Sequence, residues 1–289
     1  MNKKKEAKLV NKVKHLLNRI GMPRWLHYFG PKTYEFYEHL VALLIRLYCK
    51  LSYRRIKKLL DLLGINCPSK SALQSTAKKI PKWLWDKAIA ITSGIKHYII
   101  AIDGTGFSRT NPSYHYLRRI DGKIPKKHVK LTAAFDTRKK KWCAAAVRIL
   151  PSHDMKDAIK LIARSNPEKI VMDKAGDAEK LHKYCYENGI EAHIPLKNYG
   201  KAIHNMWGYR RKAAKKFRIR TYHRRELIES GNSSIKRKYG SSVSSKNCKT
   251  IRAEVMGKLL CHNLFGRIIE IQDRAYAIPN PKTQAPVWQ

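Results

Sequence analysis

The chain has 289 residues, and its 61 Lys and Arg against 21 Asp and Glu give a formal net charge of +40. That excess is larger than solubility requires and implies a polyanionic partner. The cations run along the whole chain and are not gathered beside one apolar segment, so nucleic acid is favoured over a lipid surface.

The length suits one sizeable core plus a smaller module. The longest apolar run, Leu40 to Leu47, is interrupted by Arg46 and falls well short of the roughly 20 residues of a membrane span. The N-terminus, Met1-Asn2-Lys3-Lys4-Lys5, leads into a polar helix and lacks the apolar centre of a secretion signal, so a cytoplasmic, nucleoid-associated protein is expected. The six cysteines form no C-x-x-C pair, which argues for reduced, buried thiols over a disulfide framework or a zinc ribbon.

Taken in chain order, residues 1–95 read as a helical domain. Amphipathic stretches near Lys8–Ile20 and Tyr34–Leu51 are separated by Gly21, Pro23, Gly30 and Pro31. Ser52 is placed to cap a helix Tyr53–Leu63 that Gly64 ends, and Ser69 to cap a second helix running to about Ile80. This is the layout of a helix-turn-helix, whose second helix would offer Lys70, Gln74 and Lys78 to DNA. A packed helical hairpin with solvated lysines is the competing reading.

After Gly94 the pattern changes to short apolar runs. Tyr98–Ile102, Val129–Phe135 and Trp142–Leu150 read as consecutive strands. A helix from about Asp154 to Arg164, a strand Lys169–Met172, a helix from about Asp177 to Asn188 and a strand Glu191–Leu196 follow. The order β-β-β-α-β-α-β predicts an α/β fold with a mixed sheet flanked by helices. Residues 197–221 form a small basic insertion, interleaved with Tyr199, Trp207, Tyr209 and Phe217. Helices are expected near Tyr222 and from about Thr250 to Ile271, and 276–289 reads as a disordered tail.

Two apolar strands each deliver an aspartate. Tyr98-Ile99-Ile100-Ala101-Ile102 ends in Asp103-Gly104, and Lys169-Ile170-Val171-Met172 ends in Asp173 before a turn with Gly176. If the strands are parallel neighbours, both carboxylates emerge at one sheet edge. Two carboxylates about 4 Å apart repel by roughly 4 kcal/mol at an effective dielectric of 20, so the pair calls for a proton or a hard cation such as magnesium or manganese. Two such ions can activate an attacking oxygen and stabilise a leaving one. Asp177 and Asp136 read instead as a helix-terminal charge and a turn residue.

Further on, Tyr222, Arg225, Glu229 and Lys236 would fall within an arc of roughly 60° on one helix face, with Leu227, Ile228 and Ile235 elsewhere to anchor it. Gly231 inside this stretch costs about 1 kcal/mol of helix propensity, which suggests a kink or a close approach to DNA.

The spacing Tyr222-x2-Arg225-x3-Glu229-x6-Lys236 resembles the Y-R-E-K signature of insertion-sequence DDE transposases. Ile102-Asp103-Gly104-Thr105 and Met172-Asp173-Lys174-Ala175-Gly176-Asp177 resemble the two other acidic motifs of that family, and Lys130-Leu131 and His262-Asn263-Leu264 look like further family positions. The resemblance runs from roughly Tyr98 to Arg267. It implies an RNase H-like catalytic domain over 96–275, with Asp103, Asp173 and Glu229 as catalytic residues and ligands to two Mg2+ ions, for which Mn2+ could substitute. Tyr222, Arg225 and Lys236 would hold phosphates of the element's end, and Glu226 is the rival third ligand. The interval from Asp173 to Glu229 is short for relatives with a large β insertion there. The basic segment occupies it, with Trp207 either stacking on an unpaired base or packed in the core.

The function implied is cut-and-paste DNA transposition: metal-dependent cleavage at terminal inverted repeats and strand transfer into target DNA, within a synaptic homodimer and with no membrane partner. The alternatives are a non-catalytic DNA-binding protein derived from a transposase, or another RNase H-like nuclease.

Overall fold

The computed structural model describes residues 6–26, 29, 31–109, 128–150, 152–197 and 207–275, with side chains described from 9 to 265. The proposed tail over 276–289 and Tyr199 lie outside these residues.

Helix α1 (Glu6–Ile20) buries Leu9, Val13, Leu16, Leu17 and Ile20, a stripe at helical spacing. In α2 (Phe36–Tyr48) a capping box starts the helix, with the Glu38 carboxylate accepting from the Glu35 amide. Helices α3 (Tyr53–Leu62) and α4 (Lys70–Lys79) are capped by Ser52 and Ser69, whose hydroxyls accept from the Arg55 and Ala72 amides. Helix α5 (Lys82–Ser93) then leads to the sheet.

The strands are β1 (His97–Arg109), β2 (His128–Asp136), β3 (Lys141–Arg148), β4 (Pro167–Val171) and β5 (Glu191–His193), in the order β3-β2-β1-β4-β5. The β1–β2 and β2–β3 pairs are antiparallel, and β1–β4 and β4–β5 are parallel. Helices α6 (Met155–Ser165) and α7 (Glu179–Glu187) cover one face, packing on Ile100, Ile102, Ala134 and Ile170. This is the expected mixed sheet. β1 runs longer than the sequence suggests, because β2 pairs with it as far as Ser108 and carries the strand beyond Asp103.

Past β5 come α8 (Gly208–Lys216), α9 (Ile219–Tyr222), a 3-10 turn (His223–Arg225), α10 (Glu226–Tyr239), the short strand β6 (Ser242–Val243) beside the end of β1, and α11 (Cys248–Ala275). α11 packs against α2, α4 and α5 on one side and β3 on the other. One apolar cluster therefore runs from the N-terminal helices through α11 to the second face of the sheet. Asn263 on α11 accepts from the Trp142 amide at 2.9 Å and donates to its carbonyl at 2.8 Å, meeting backbone groups of the edge strand β3. No helix among the described residues is long and apolar enough to cross a membrane.

Candidate active site

Register decides where the aspartates fall. Ala101 lies opposite Val171 in the parallel β1–β4 pair, so Asp103 and Asp173 both stand two residues past the same rung. Side chains alternate along a strand, which sets Asp103 on the face of Ile99 and Ala101, where α10 packs against β1. From α10, Asn232 Nδ2 donates to Asp103 Oδ2 at 3.4 Å.

Helix α10 presents its polar side there. Ile228 and Ile235 are buried, while Glu229 is half exposed and its Oε1 lies 2.6 Å from Arg225 Nη2. The expected single helix from Tyr222 to Lys236 is instead broken into α9, the 3-10 turn and α10, the tightened first turn common at helix N-termini. Gly231 approaches neither a kink nor an outer surface. A Cβ there would lie 3.2 Å from the Phe135 and Trp142 rings, so its lack of a side chain lets α10 lie flat on the sheet.

Electrostatics tie these groups together. Burial pushes the Asp103 carboxyl up, its own backbone hydrogen bond to Gly104 and the Arg225 charge oppose that, and Asp154 and Asp173 add to the rise. Burial alone would lower Arg225, but Glu229, Tyr222, Asp103 and Asp173 outweigh it and hold the guanidinium up. The cation thus lies in contact with Glu229 and within electrostatic reach of Asp103 and Asp173. Among the described residues those three do not gather within 4.8 Å of one another. An all-oxygen set of carboxylates, one of them half-buried, is a donor type that suits a hard divalent cation.

Asp154 escapes a reading of the sequence that treats it as a helix start. It makes no side-chain cap on α6; its carboxylate turns to β2, accepting from Thr132 Oγ1 at 2.7 Å and pairing with Lys130 Nζ at 3.0 Å. It fills the space a Cβ on Gly104 would need, which is the reason for glycine after Asp103.

The other residues singled out by sequence spread over the surface. Lys236 Nζ sits 5.9 Å from the Phe107 ring, and Phe107 lies roughly 13 Å along β1 from Asp103. Tyr222 lies against Phe217 and His223, with ring centroids 5.9 and 6.2 Å apart. Glu226 is exposed, 3.8 Å from His223. Trp207 is 86% exposed at the start of α8, which rules out core packing for that ring. Lys70, Gln74 and Lys78 form an exposed i, i+4, i+8 row on α4, beside the buried stripe of Leu73, Thr76 and Ala77.

Two aspartates set aside above are buried anchors. Asp177 stands at a helix terminus as expected, between the 3-10 turn Lys174–Gly176 and the Ala178 N-cap of α7, and its carboxylate also takes a two-point contact from Arg210, a hydrogen bond with His182 and one from the Lys197 amide, holding α8 onto the sheet domain. Asp136 does accept from the Arg138 and Lys139 amides of its turn, at 2.8 and 2.7 Å, and also contacts buried His97 at 2.7 Å. His97, Asp136 and Cys143 bring ligand-type atoms within 4.8 Å of one another. They lie at the opposite end of β1 from Asp103, roughly 20 Å away, and burial pushes the Cys143 thiol up to about 12.

The family model described as the transposase DDE domain matches residues 94–264, more than half of the sequence. The chain belongs to that family. The DDE domain so matched holds Asp103, Asp173, Arg225 and Glu229. Among solved structures, one similar chain is "Cryo-EM structure of piggyBac transposase synaptic complex with hairpin DNA", with TM-score 0.40, 10% identity, and coverage of 98% of this chain and 84% of that one. Another is the "Drosophila P element transposase strand transfer complex", with TM-score 0.32, 11% identity, and coverage of 94% and 81%. No curated protein matches the chain.

Proposed function

We propose that this DDE domain protein is a catalytically active DNA transposase that cuts phosphodiester bonds at the ends of its element and joins them to target DNA. The observation that carries the reading is the level register of Asp103 and Asp173 beside the Arg225–Glu229 pair, within a domain of the matched family.

Asp103, Asp173 and Glu229 would hold two divalent cations, Mg2+ by preference for an all-oxygen donor set. When bound, such ions supply activation of an attacking oxygen and stabilisation of the leaving one. Asn232 orients Asp103 through its amide. Arg225, released from Glu229, offers a planar fork to a phosphate, and Lys236 a compact point charge farther along β1. The exposed Trp207 ring is available to stack on an unpaired base. Lys70, Gln74 and Lys78 would meet duplex DNA, supported by their shared exposed face on α4.

Incubating the purified protein with Mg2+ and DNA carrying its own terminal inverted repeats tests the reading. Nicked ends and joined products are expected, lost in Asp103→Asn, Asp173→Asn and Glu229→Gln and kept in Glu226→Gln. Cleavage that survives all three substitutions, or none with the native chain, overturns it.

A further inference from the structure

A cleft of about 690 Å³ opens where the α3–α4 hairpin faces the turn between β6 and α11. Arg46, Ser52, Gln74, Lys78, Lys246 and Asn247 line it, and the remaining lining residues are hydroxyl-bearing, so that among the described residues the lining holds three cations and no carboxylate. Arg46 is the charge that interrupts the apolar run of α2. It is only 6% exposed, its guanidinium stacked 4.0 Å over the Tyr53 ring and its Nη2 donating weakly to Ser244 Oγ at 3.4 Å. Its Nε finds no hydrogen-bond partner among the described residues. A buried guanidinium N–H left unmatched is costly, and the fold keeps one on a residue that lines this cleft.

The surroundings reinforce the sign. The α3 and α11 N-termini both border the cleft, each bringing the positive end of a helix dipole. Glu254, beneath the turn, is occupied: it accepts from the Ser244 amide at 3.1 Å, the Ser245 amide at 3.0 Å and the Ser245 hydroxyl at 2.6 Å, which fixes the turn's shape.

We propose that this cleft seats a backbone phosphate of duplex DNA, with Arg46 as the buried fork and Lys78 and Lys246 flanking it. It would thereby join the N-terminal hairpin and the DDE domain on one strand of DNA. The proposal rests on the DNA-transposase reading and deepens it by naming where the duplex is held. A free phosphate shares the chemistry. Duplex is favoured because the exposed row of Lys70, Gln74 and Lys78 continues outward from the cleft along α4.

The test measures binding of the full chain to a short duplex of arbitrary sequence, without divalent metal, across a salt series. Each phosphate contact contributes about 0.9 to the slope of log affinity against log salt. Arg46→Gln should lose at least about tenfold in affinity and lower the slope by about 0.9, with partial recovery in Arg46→Lys. Should Arg46→Gln fail to fold, Lys246→Ala, which keeps Arg46, is expected to lower the slope likewise and decides alone. An unchanged slope in the folded variants overturns the seat. So does a thermal shift by inorganic phosphate alone that Arg46→Gln abolishes while duplex binding stays native, since that assigns the cleft to a free anion. Metal-dependent end cleavage is a separate readout, so failure of the seat leaves the catalytic reading standing, and the reverse also holds.

Discussion

Arg225 Nη2 rests 2.6 Å from Glu229 Oε1, one turn apart on the helical segment that faces Asp103 and Asp173. The guanidinium offsets the charge of these carboxylates, and a divalent ion bound there would compete with it.

Arg225→Ala should therefore bind Mn2+ more tightly than the native chain in a titration followed by electron paramagnetic resonance, while end cleavage falls because the phosphate fork is gone. The stability cost at low salt should stay under about 1 kcal/mol, as for a partly exposed i, i+4 pair. Unchanged Mn2+ affinity would count against the balancing role.

Gly231 is the contact point of α10 with the sheet. Gly231→Val should destabilise by about 2 kcal/mol, since a branched side chain must displace the Phe135 and Trp142 rings now only 3.2 Å from the Cβ position. Chemical denaturation measures this directly. A stability gain, as helix propensity alone would give, would show that α10 can lift without cost.

Lys258 on α11 is 2% exposed and donates to the Gly240 and Ser242 carbonyls at 2.9 and 2.7 Å. Burial pushes it down to about 8, Glu254 opposing and Arg46 and Lys50 reinforcing. Between pH 8 and its ordinary value of about 10.4 the unfolded chain binds more protons than the folded one, so stability from this group rises with pH across that window. Relative to Lys258→Met, the native chain should gain up to about 3 kcal/mol from pH 8 to 10.4 in denaturant titrations. Parallel curves would show that burial does not lower the Lys258 pKa.

Sequence alone settles much of the fold. Period-2 and period-3.6 apolar patterns are local, and Ser52 and Ser69 name their helices' starts because capping needs only neighbours within three residues. The candidate carboxylates are legible for the same reason: an aspartate that follows an apolar strand stands out without any knowledge of its neighbours. What sequence left open is relative placement. The run of β1 past Asp103, the 3-10 turn before α10 and the meeting of Gly231 with two rings depend on which segments pair.

Arg46 and Asp154 mark the boundary most clearly. In the sequence Arg46 is an interruption in an apolar run, and Asp154 a residue ahead of a helix. Only packing turns the first toward Tyr53 and Ser244, some two hundred positions downstream in the second case, and the second toward Thr132 and Lys130 beneath Gly104. Chain pattern reports which residues must be buried; which charges share that burial is set by contacts between distant segments, and those exist only once the sheet, α10 and α11 have closed on one another.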